Sequence, residues 1–255
     1  MQVAVLIGGV ADPKWPLPPQ LSLAALQAHS ARYATLSPFD EAALELALKL
    51  RDADPSVQVV ALVAGDEAFC RRIAGWRPDT LHRVDLAAVP AWDGGAIAAA
   101  LALAVNAFAG DAPYLLIGRE FSDWDDGTVA AALARALDMP QVAMALGLER
   151  SVDAARAVRQ GGGGLERVEL PARAVLSVTN DPGNRLRHPL MKNVMLAKKA
   201  AIPQWQAPAP AASLAFERVE PAVAPARTGS CEWLEGTAQE KANALARVLA
   251  AAAEA

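Results

Sequence analysis

The residues best suited to chemistry in this chain stand close together. Asp123, Asp125 and Asp126 fall in one short loop and are followed at once by Gly127 and Thr128. Clustered carboxylates can hold a divalent cation through oxygen ligands. A polar turn that feeds a helix can instead hold an anion, because the first N–H groups of the helix have no partner and carry partial positive charge. The two uses oppose each other, since a carboxylate beside a phosphate repels it. No further carboxylates lie nearby to complete a cation shell, so no metal site is expected. The plainest use of the same residues is a strand-to-helix turn in which Asp126 or Thr128 caps the helix.

The elements around this loop decide what it can do. Tyr114 to Ile117 is a short apolar run between Pro113 and Gly118 and reads as a buried strand. From Thr128 the spacing turns helical, with Val129, Leu133 and Leu137 on one face. Earlier, Val3 to Ile7 reads as a central parallel strand, closed by Gly8 and Gly9. The Pro-rich stretch from Ala11 to Gln20 is a loop or edge excursion. Ser37 suits an N-cap, Pro38 the first helical position, and Asp40 and Glu41 the positive end of the helix that follows. Val57 to Ala64 and Leu81 to Leu86 are further strands, each followed by a helix, Asp66 to Ala74 and Asp93 to Ala109. Strands alternating with helices in this way predict an α/β fold with a doubly wound, mainly parallel sheet and right-handed crossovers. Such sheets bind ligands beyond the carboxyl ends of their strands. Gly8-Gly9, Ser37 to Asp40, Ala64-Gly65 and Gly118 to Thr128 all fall there.

After Pro140 the pattern changes. Val142 to Leu148, Ala154 to Arg159, Glu166 to Leu170 and Ala174 to Val178 are strand candidates joined by short turns, so an antiparallel strand set follows the parallel core. Turn residues then lead to Arg185, Arg187 and His188, and Leu190 to Lys199 is a short amphipathic helix with a basic end. Residues 203–230 are rich in Pro and Ala and read as an extended arm. Thr237 caps a final helix, Ala238 to Ala252, with Glu240 completing a capping box. The expected organisation is a core over residues 1–200 and an arm with its terminal helix over residues 201–255.

Composition narrows the function. Hydrophobic residues make up 53% of the 255, enough for a full core. The formal net charge of −4 gives no basic field, which excludes bulk nucleic-acid binding. Three histidines leave little material for a metal site or a Ser-His-Asp triad, and Cys70 and Cys231 suggest inert thiols rather than a disulfide. The longest apolar tract, Ala96 to Ala109, is Ala-rich and interrupted by Asn106, so it reads as a buried helix and not a membrane span. With no targeting segment visible, a soluble cytoplasmic protein is expected.

Five stretches, taken in order, resemble the β subunit of electron transfer flavoprotein. SPFDEAALELALKL is similar to that family's N-P-F-D/C-E helix start, and LLIGREFSDWDDGTVAAALARALDMPQV to its G-K-Q-x-x-D-D-D-x-N-Q-T-G loop and W-P-Q helix end. GGGGLERVELPARAVLSV, RHPLMKNVMLAKKA and EWLEGTAQEKANALARVL resemble its later strand pair, its partner-recognition segment and its terminal I-E-G-T helix. The resemblance implies a heterodimer with an α subunit that holds most of the FAD. It implies an electron carrier without substrate chemistry of its own, which takes electrons from flavin dehydrogenases and passes them to a membrane quinone oxidoreductase or similar acceptor. AMP, or in bifurcating members a second FAD, would occupy the β-subunit crevice. The implied cofactor positions are Leu6, Ser37, Pro38, Phe39, Asp40, Ala64, Gly118, Arg119, Asp123, Asp126, Gly127 and Thr128, with Phe39 near the α-subunit flavin. Arg187, His188, Leu190 and Met191 would dock the dehydrogenase.

The departures from the family pattern concern the nucleotide. The basic pair that usually follows the first strand is replaced by Gly8-Gly9, which opposes a second FAD. The phosphate loop is one residue shorter and reads Asp126-Gly127-Thr128, and a carboxylate there is unfavourable for AMP unless a cation or donor intervenes. Met191 stands where the family has leucine, so partner choice would differ. A stand-alone adenine-nucleotide module of the universal-stress kind is the alternative of a different class, and it has no use for the long arm.

Overall fold

The computed structural model describes every residue except 20, 151–153, 209–213, 216, 219, 221–230, 232 and 254–255. Most of the Pro/Ala-rich arm expected over residues 203–230 therefore lies outside the described residues. Two compact units are formed, Met1–Val219 and Glu220–Ala255.

The first unit is built on a sheet of nine strands. In chain order the elements are β1 (Gln2–Ile7), β2 (Val10–Ala11), α1 (Leu23–Arg32), β3 (Ala34–Thr35), α2 (Pro38–Ala53), β4 (Gln58–Ala64), α3 (Glu67–Ala74) and β5 (Thr80–Asp85). There follow α4 (Gly94–Phe108), β6 (Tyr114–Gly118), α5 (Val129–Ala136), β7 (Gln141–Arg150), β8 (Ala155–Gly161), β9 (Gly164–Glu169) and β10 (Ala174–Val178). A 3-10 turn (Pro182–Asn184), α6 (Met191–Ala197), β11 (Gln204–Gln206) and α7 (Ala238–Ala253) complete the chain. The spatial order is β11-β5-β4-β1-β6-β10-β7-β8-β9, with β2 and β3 forming a separate antiparallel pair.

The apolar run at the start of the chain lies where it must. β1 pairs in parallel with β4 on one side and β6 on the other. Its alternate residues face opposite layers: Val3, Val5 and Ile7 pack with α2 and α3, while Ala4 and Leu6 pack with α4 and α5. A strand covered on both faces needs no polar alternation, which is why it reads as a continuous hydrophobic run. The doubly wound architecture expected from the sequence is present.

The later strands divide differently from their order in sequence. β7, β8 and β9 form an antiparallel meander. The fourth candidate, β10, leaves that set and inserts in parallel between β6 and β7. Its five residues are all buried, so a two-sided position suits it better than a sheet edge. β11 adds a short parallel strand beyond β5, and Arg83 donates to Gln204 across that edge at 3.2 Å. After the loop expected over Ala11 to Gln20 the chain also forms α1, which the sequence did not lead one to expect, capped by Ser22, which accepts from the Ala25 N–H at 3.2 Å.

The second unit contains α7. Its start is a capping box: the Thr237 N–H donates to Glu240 at 2.7 Å, and the Glu240 N–H to the Thr237 hydroxyl at 3.4 Å. No helix among the described residues is long and apolar enough to cross a membrane.

At the carboxyl end of β1 the backbone comes very close to the loop after β6. A Cβ added at Gly8 would lie 2.8 Å from the Ser122 backbone nitrogen. Gly9 adopts a φ of 67°, and a Cβ there would lie 2.8 Å from the Phe69 ring. The first contact is with backbone, which cannot swing aside as a flexible side chain can. Replacing Gly8 by Ala is expected to cost about 1–3 kcal/mol through forced backbone displacement, read as a lower midpoint in urea denaturation.

Candidate functional site

A crevice of about 330 Å³ opens at the carboxyl ends of the parallel strands. Gly8-Gly9 after β1, Ala64-Gly65 after β4, Val84 to Ala87 at the end of β5 and Ser122 to Trp124 after β6 line it, with α1 closing one side. β4 and β5 lie to one side of β1 and β6 to the other, so the crevice straddles the point where the winding reverses. That is the position at which doubly wound sheets bind ligands.

The expected site residues do not form a single cluster. Ala64 and Asp123 line the crevice, beside Gly8 and Gly9. Leu6 is fully buried beneath it, in the layer with α4 and α5. Phe39, Gly118 and Arg119 gather in a separate patch. A Cβ on Gly118 would meet the Phe39 side chain at 3.0 Å, and the Arg119 guanidinium lies over the Phe39 ring, 4.6 Å from its centroid. Glu120 holds that guanidinium at 2.7 Å. Pro38, Asp126, Gly127 and Thr128 are exposed, and none of them lines the crevice.

Ser37 and Asp40 form the capping box that starts α2. The Asp40 N–H donates to the Ser37 hydroxyl at 3.0 Å, and the Ser37 N–H to the Asp40 carboxylate at 3.2 Å. The same carboxylate accepts from Gly8 at 3.3 Å and Gly9 at 3.0 Å. Asp40 is completely buried, and burial pushes its carboxyl up to about 6 despite the four hydrogen bonds that favour the charged form.

The acidic loop resolves into two separate roles, held by Asp123 and Asp125. Asp123 accepts from the Ala11 N–H at 3.0 Å and from the Ser30 hydroxyl at 2.7 Å, tying α1 and the segment after β1 to the loop. Asp125, rather than Asp126 or Thr128, closes the head of α5. One of its oxygens accepts from the N–H groups of Gly127, Thr128 and Val129 at 2.9, 2.8 and 3.2 Å. The other accepts from Phe121 at 2.7 Å. Thr128 holds the N-cap position but makes no side-chain capping bond. Among the described residues no group of three or more His, Cys, Asp or Glu could hold a metal ion. The role of Asp125 had a sequence signal that was passed over: an aspartate two residues before a glycine makes an Asx turn.

The segment expected to dock a partner is anchored by its own arginine. Arg187 reaches Glu45 at 2.8 Å and Asp52 at 2.5 Å, both on α2, and its backbone carbonyl accepts from the Trp76 indole at 2.5 Å. The Glu45 side chain is 6% exposed. Paired this way, the guanidinium is held firmly charged. His188 is exposed. Leu190 and Met191 are 69% and 75% exposed, and Met195 and Leu196 continue the apolar surface along α6. Cys70 is buried, with its thiol pushed up to about 12 by desolvation, whereas Cys231 is exposed. A larger cavity of about 900 Å³ lies between α2 and β7–β8, and none of the expected site residues lines it.

With this geometry in place, comparison with known families is decisive. The electron transfer flavoprotein domain matches residues 26–210, more than half of the chain. The chain belongs to the electron transfer flavoprotein domain family. The matched region runs from within α1 through β11; it takes in the crevice residues from Gln27 onward, with Gly8 to Val10 lying before it, and the segment from Arg187 to Met191. Members of this family are electron carriers. Among curated proteins, none matches the chain.

Two outcomes are expected from this electrostatic arrangement. Asp40 has a folded-state value of about 6 against an ordinary 3.8, so between those pH values the folded state binds more protons than the unfolded state. Its contribution to stability is therefore largest below pH 3.8 and declines as pH rises through 6, by roughly 3 kcal/mol. Urea denaturation from pH 4 to 7 should show the wild type losing stability relative to Asp40→Asn as pH rises; a flat difference would contradict the assignment. Replacing Arg187 by Ala leaves the nearly buried Glu45 without its cation, holding only the backbone N–H of residue 187 at 3.1 Å, at a cost of about 2 kcal/mol, below that of a fully buried pair because the arginine is 41% exposed. Adding Glu45→Gln should recover most of that loss.

Proposed function

We propose that this chain is the β-type subunit of a heterodimeric electron transfer flavoprotein. An α-type subunit holds most of the FAD, a flavin-dependent dehydrogenase donates the electrons, and a membrane quinone oxidoreductase or similar acceptor receives them. The chain works in the cytoplasm and has no substrate reaction of its own. It supplies a scaffold, a docking surface and a crevice for an adenine ligand. The observation that carries this reading is the family match over residues 26–210. The β-type assignment rests on the resemblance of the Ser37–Asp40 helix start, the Gly118–Thr128 loop and the Arg187–Ala200 segment.

Two features of this chain support the division of labour. The crevice, at about 330 Å³, is at the small end of ligand cavities and suits a mononucleoside-sized group better than a flavin dinucleotide. The Phe39–Arg119 pair offers an aromatic face and a fixed cation, which could wall a flavin held by the partner. FAD, when bound, supplies the one-electron chemistry; the residues of this chain orient and shield. The apolar face of α6, held in place through Arg187, suits contact with a redox partner, where a few exposed apolar side chains dominate a small interface.

Co-expression with an α-type subunit is expected to give a one-to-one heterodimer containing one flavin. Two flavins would indicate the bifurcating form. A chain that forms no complex yet binds an adenine ligand alone would indicate a stand-alone module. Removing residues 220–255 should abolish the complex if the terminal unit is the heterodimer arm. In the intact heterodimer, Leu190→Asp is expected to slow reduction by the donor dehydrogenase by about tenfold, equivalent to about 1.4 kcal/mol of docking energy, with flavin content unchanged.

A further inference from the structure

The chain between β2 and β3 leaves the body of the molecule and returns to the same point. Val10 pairs with Thr35 and Ala11 with Ala34, and the Asp12 N–H donates to the Tyr33 carbonyl at 2.8 Å, so the two ends of the excursion form a narrow neck. Both ends of that neck are fixed. Asp40 holds the amides of Gly8 and Gly9 just before β2 and of Ser37 after β3. Arg72 on α3 donates to the Ala34 carbonyl. Gly9, with its φ of 67°, stands where the chain turns from β1 into the neck.

The excursion beyond the neck is held differently. Its rings pack on one another: Trp15 stacks on Tyr33 at 4.8 Å between centroids, His29 tilts against Tyr33 at 4.9 Å, and the Arg32 guanidinium lies 5.2 Å from the Tyr33 centroid. Among its described residues it contributes no hydrophobic side chain to either apolar core of the sheet. Within α1, His29 alone is buried. The tie from α1 to the loop after β6 is polar and local. Asp123 accepts from the Ser30 hydroxyl at 2.7 Å and from the Ala11 N–H, in the neck, at 3.0 Å. Ser30 lines the crevice together with Gln27 and Ala31, so the tie lies at the wall of the ligand space. An element with its own side-chain cluster, little apolar burial against the body and a fixed root belongs to the low-stability end of a structure and opens as a unit.

We infer that α1 is a lid on the crevice, a preassembled flap that swings on the β2–β3 neck and is latched shut by the Ser30–Asp123 hydrogen bond. Closed, it presents Gln27, Ser30 and Ala31 to the ligand space. Opening breaks the Ser30 bond while the strand ends and the loop after β6 keep their places. The inference rests on the proposed adenine-ligand reading of the crevice and states how that ligand enters.

Paired spin labels on the full chain test this. One is placed at Ala28→Cys on α1 and the other at Ala99→Cys on α4, both exposed positions, in a Cys231→Ser background with Cys70 buried. With the latch intact one distance should dominate, and the open form should be below about one tenth of the molecules. Ser30→Ala is expected to raise the ratio of open to closed by about tenfold, read as a second, discrete distance. Asp123→Ala should raise it at least as much; Ser30→Ala decides alone if that variant does not fold. Saturating adenosine should return Ser30→Ala to the closed distance. An unchanged single distance in Ser30→Ala would overturn the lid. A broad, continuous spread of distances would also overturn it, because α1 would then be unfolding rather than swinging. A discrete second distance that adenosine does not remove would support the lid and overturn the adenine-ligand reading, which keeps the two failures apart.

Discussion

The buried carboxylate of Asp40 joins the parts of the backbone that the site is made from. It accepts from the last turn of chain after β1 and from the residue that starts α2, while its own N–H is held by Ser37. A backbone amide without an acceptor in this interior would cost about 1–3 kcal/mol, so one side chain serving three amides fixes their relative positions strongly. The glycines make that approach possible, because a side chain on Gly8 would strike the loop after β6. Floor and wall of the crevice are thereby set by one fully buried group.

The same device recurs around the site with different consequences. Asp123 ties α1 to the loop after β6, and Asp125 locks that loop to α5. Loops normally provide mobile, ligand-responsive surface. Here the loop beside the crevice is held by carboxylate-to-amide bonds at several points, which favours a preformed cavity over one assembled by the ligand. Arg187, just before the apolar helix α6, ties that segment to α2 through Glu45 and Asp52. Rigid support beneath an exposed hydrophobic patch lowers the ordering cost of docking.

Most of the architecture was legible in the sequence because the central strands are covered on both faces. Val3 to Ile7, Val59 to Ala64 and Tyr114 to Ile117 carry unbroken apolar runs, and Ser37-Pro38 and Thr237 with Glu240 mark helix starts through local chemistry. What could not be read is long-range. Nothing local to Ala174–Val178 tells whether it pairs with the hairpin before it or with a strand some sixty residues earlier, as it does. α1 was hidden by the prolines that precede it. Within the site, the structure places some roles on other residues than the sequence suggests. Asp126 drew attention by its place beside Gly127, whereas the geometry gives the work to Asp125, and Arg187 faces inward to Glu45 and Asp52 as much as outward to solvent.

The position of β10 has a consequence for the order in which the chain can assemble. Until it is synthesised, β6 has β1 as its only sheet neighbour, and β7 has only β8. The molecule at that stage consists of two separate sheets, a parallel one of β5, β4, β1 and β6 and a three-stranded meander, each with an open edge. β10 is the wedge that joins them, and its pairing with β6 closes a long stretch of chain, the kind of contact that slows folding. Two unpaired edges waiting for one strand are an opportunity for association between nascent chains. Five residues near the end of the core therefore determine whether the two halves of this protein become one sheet.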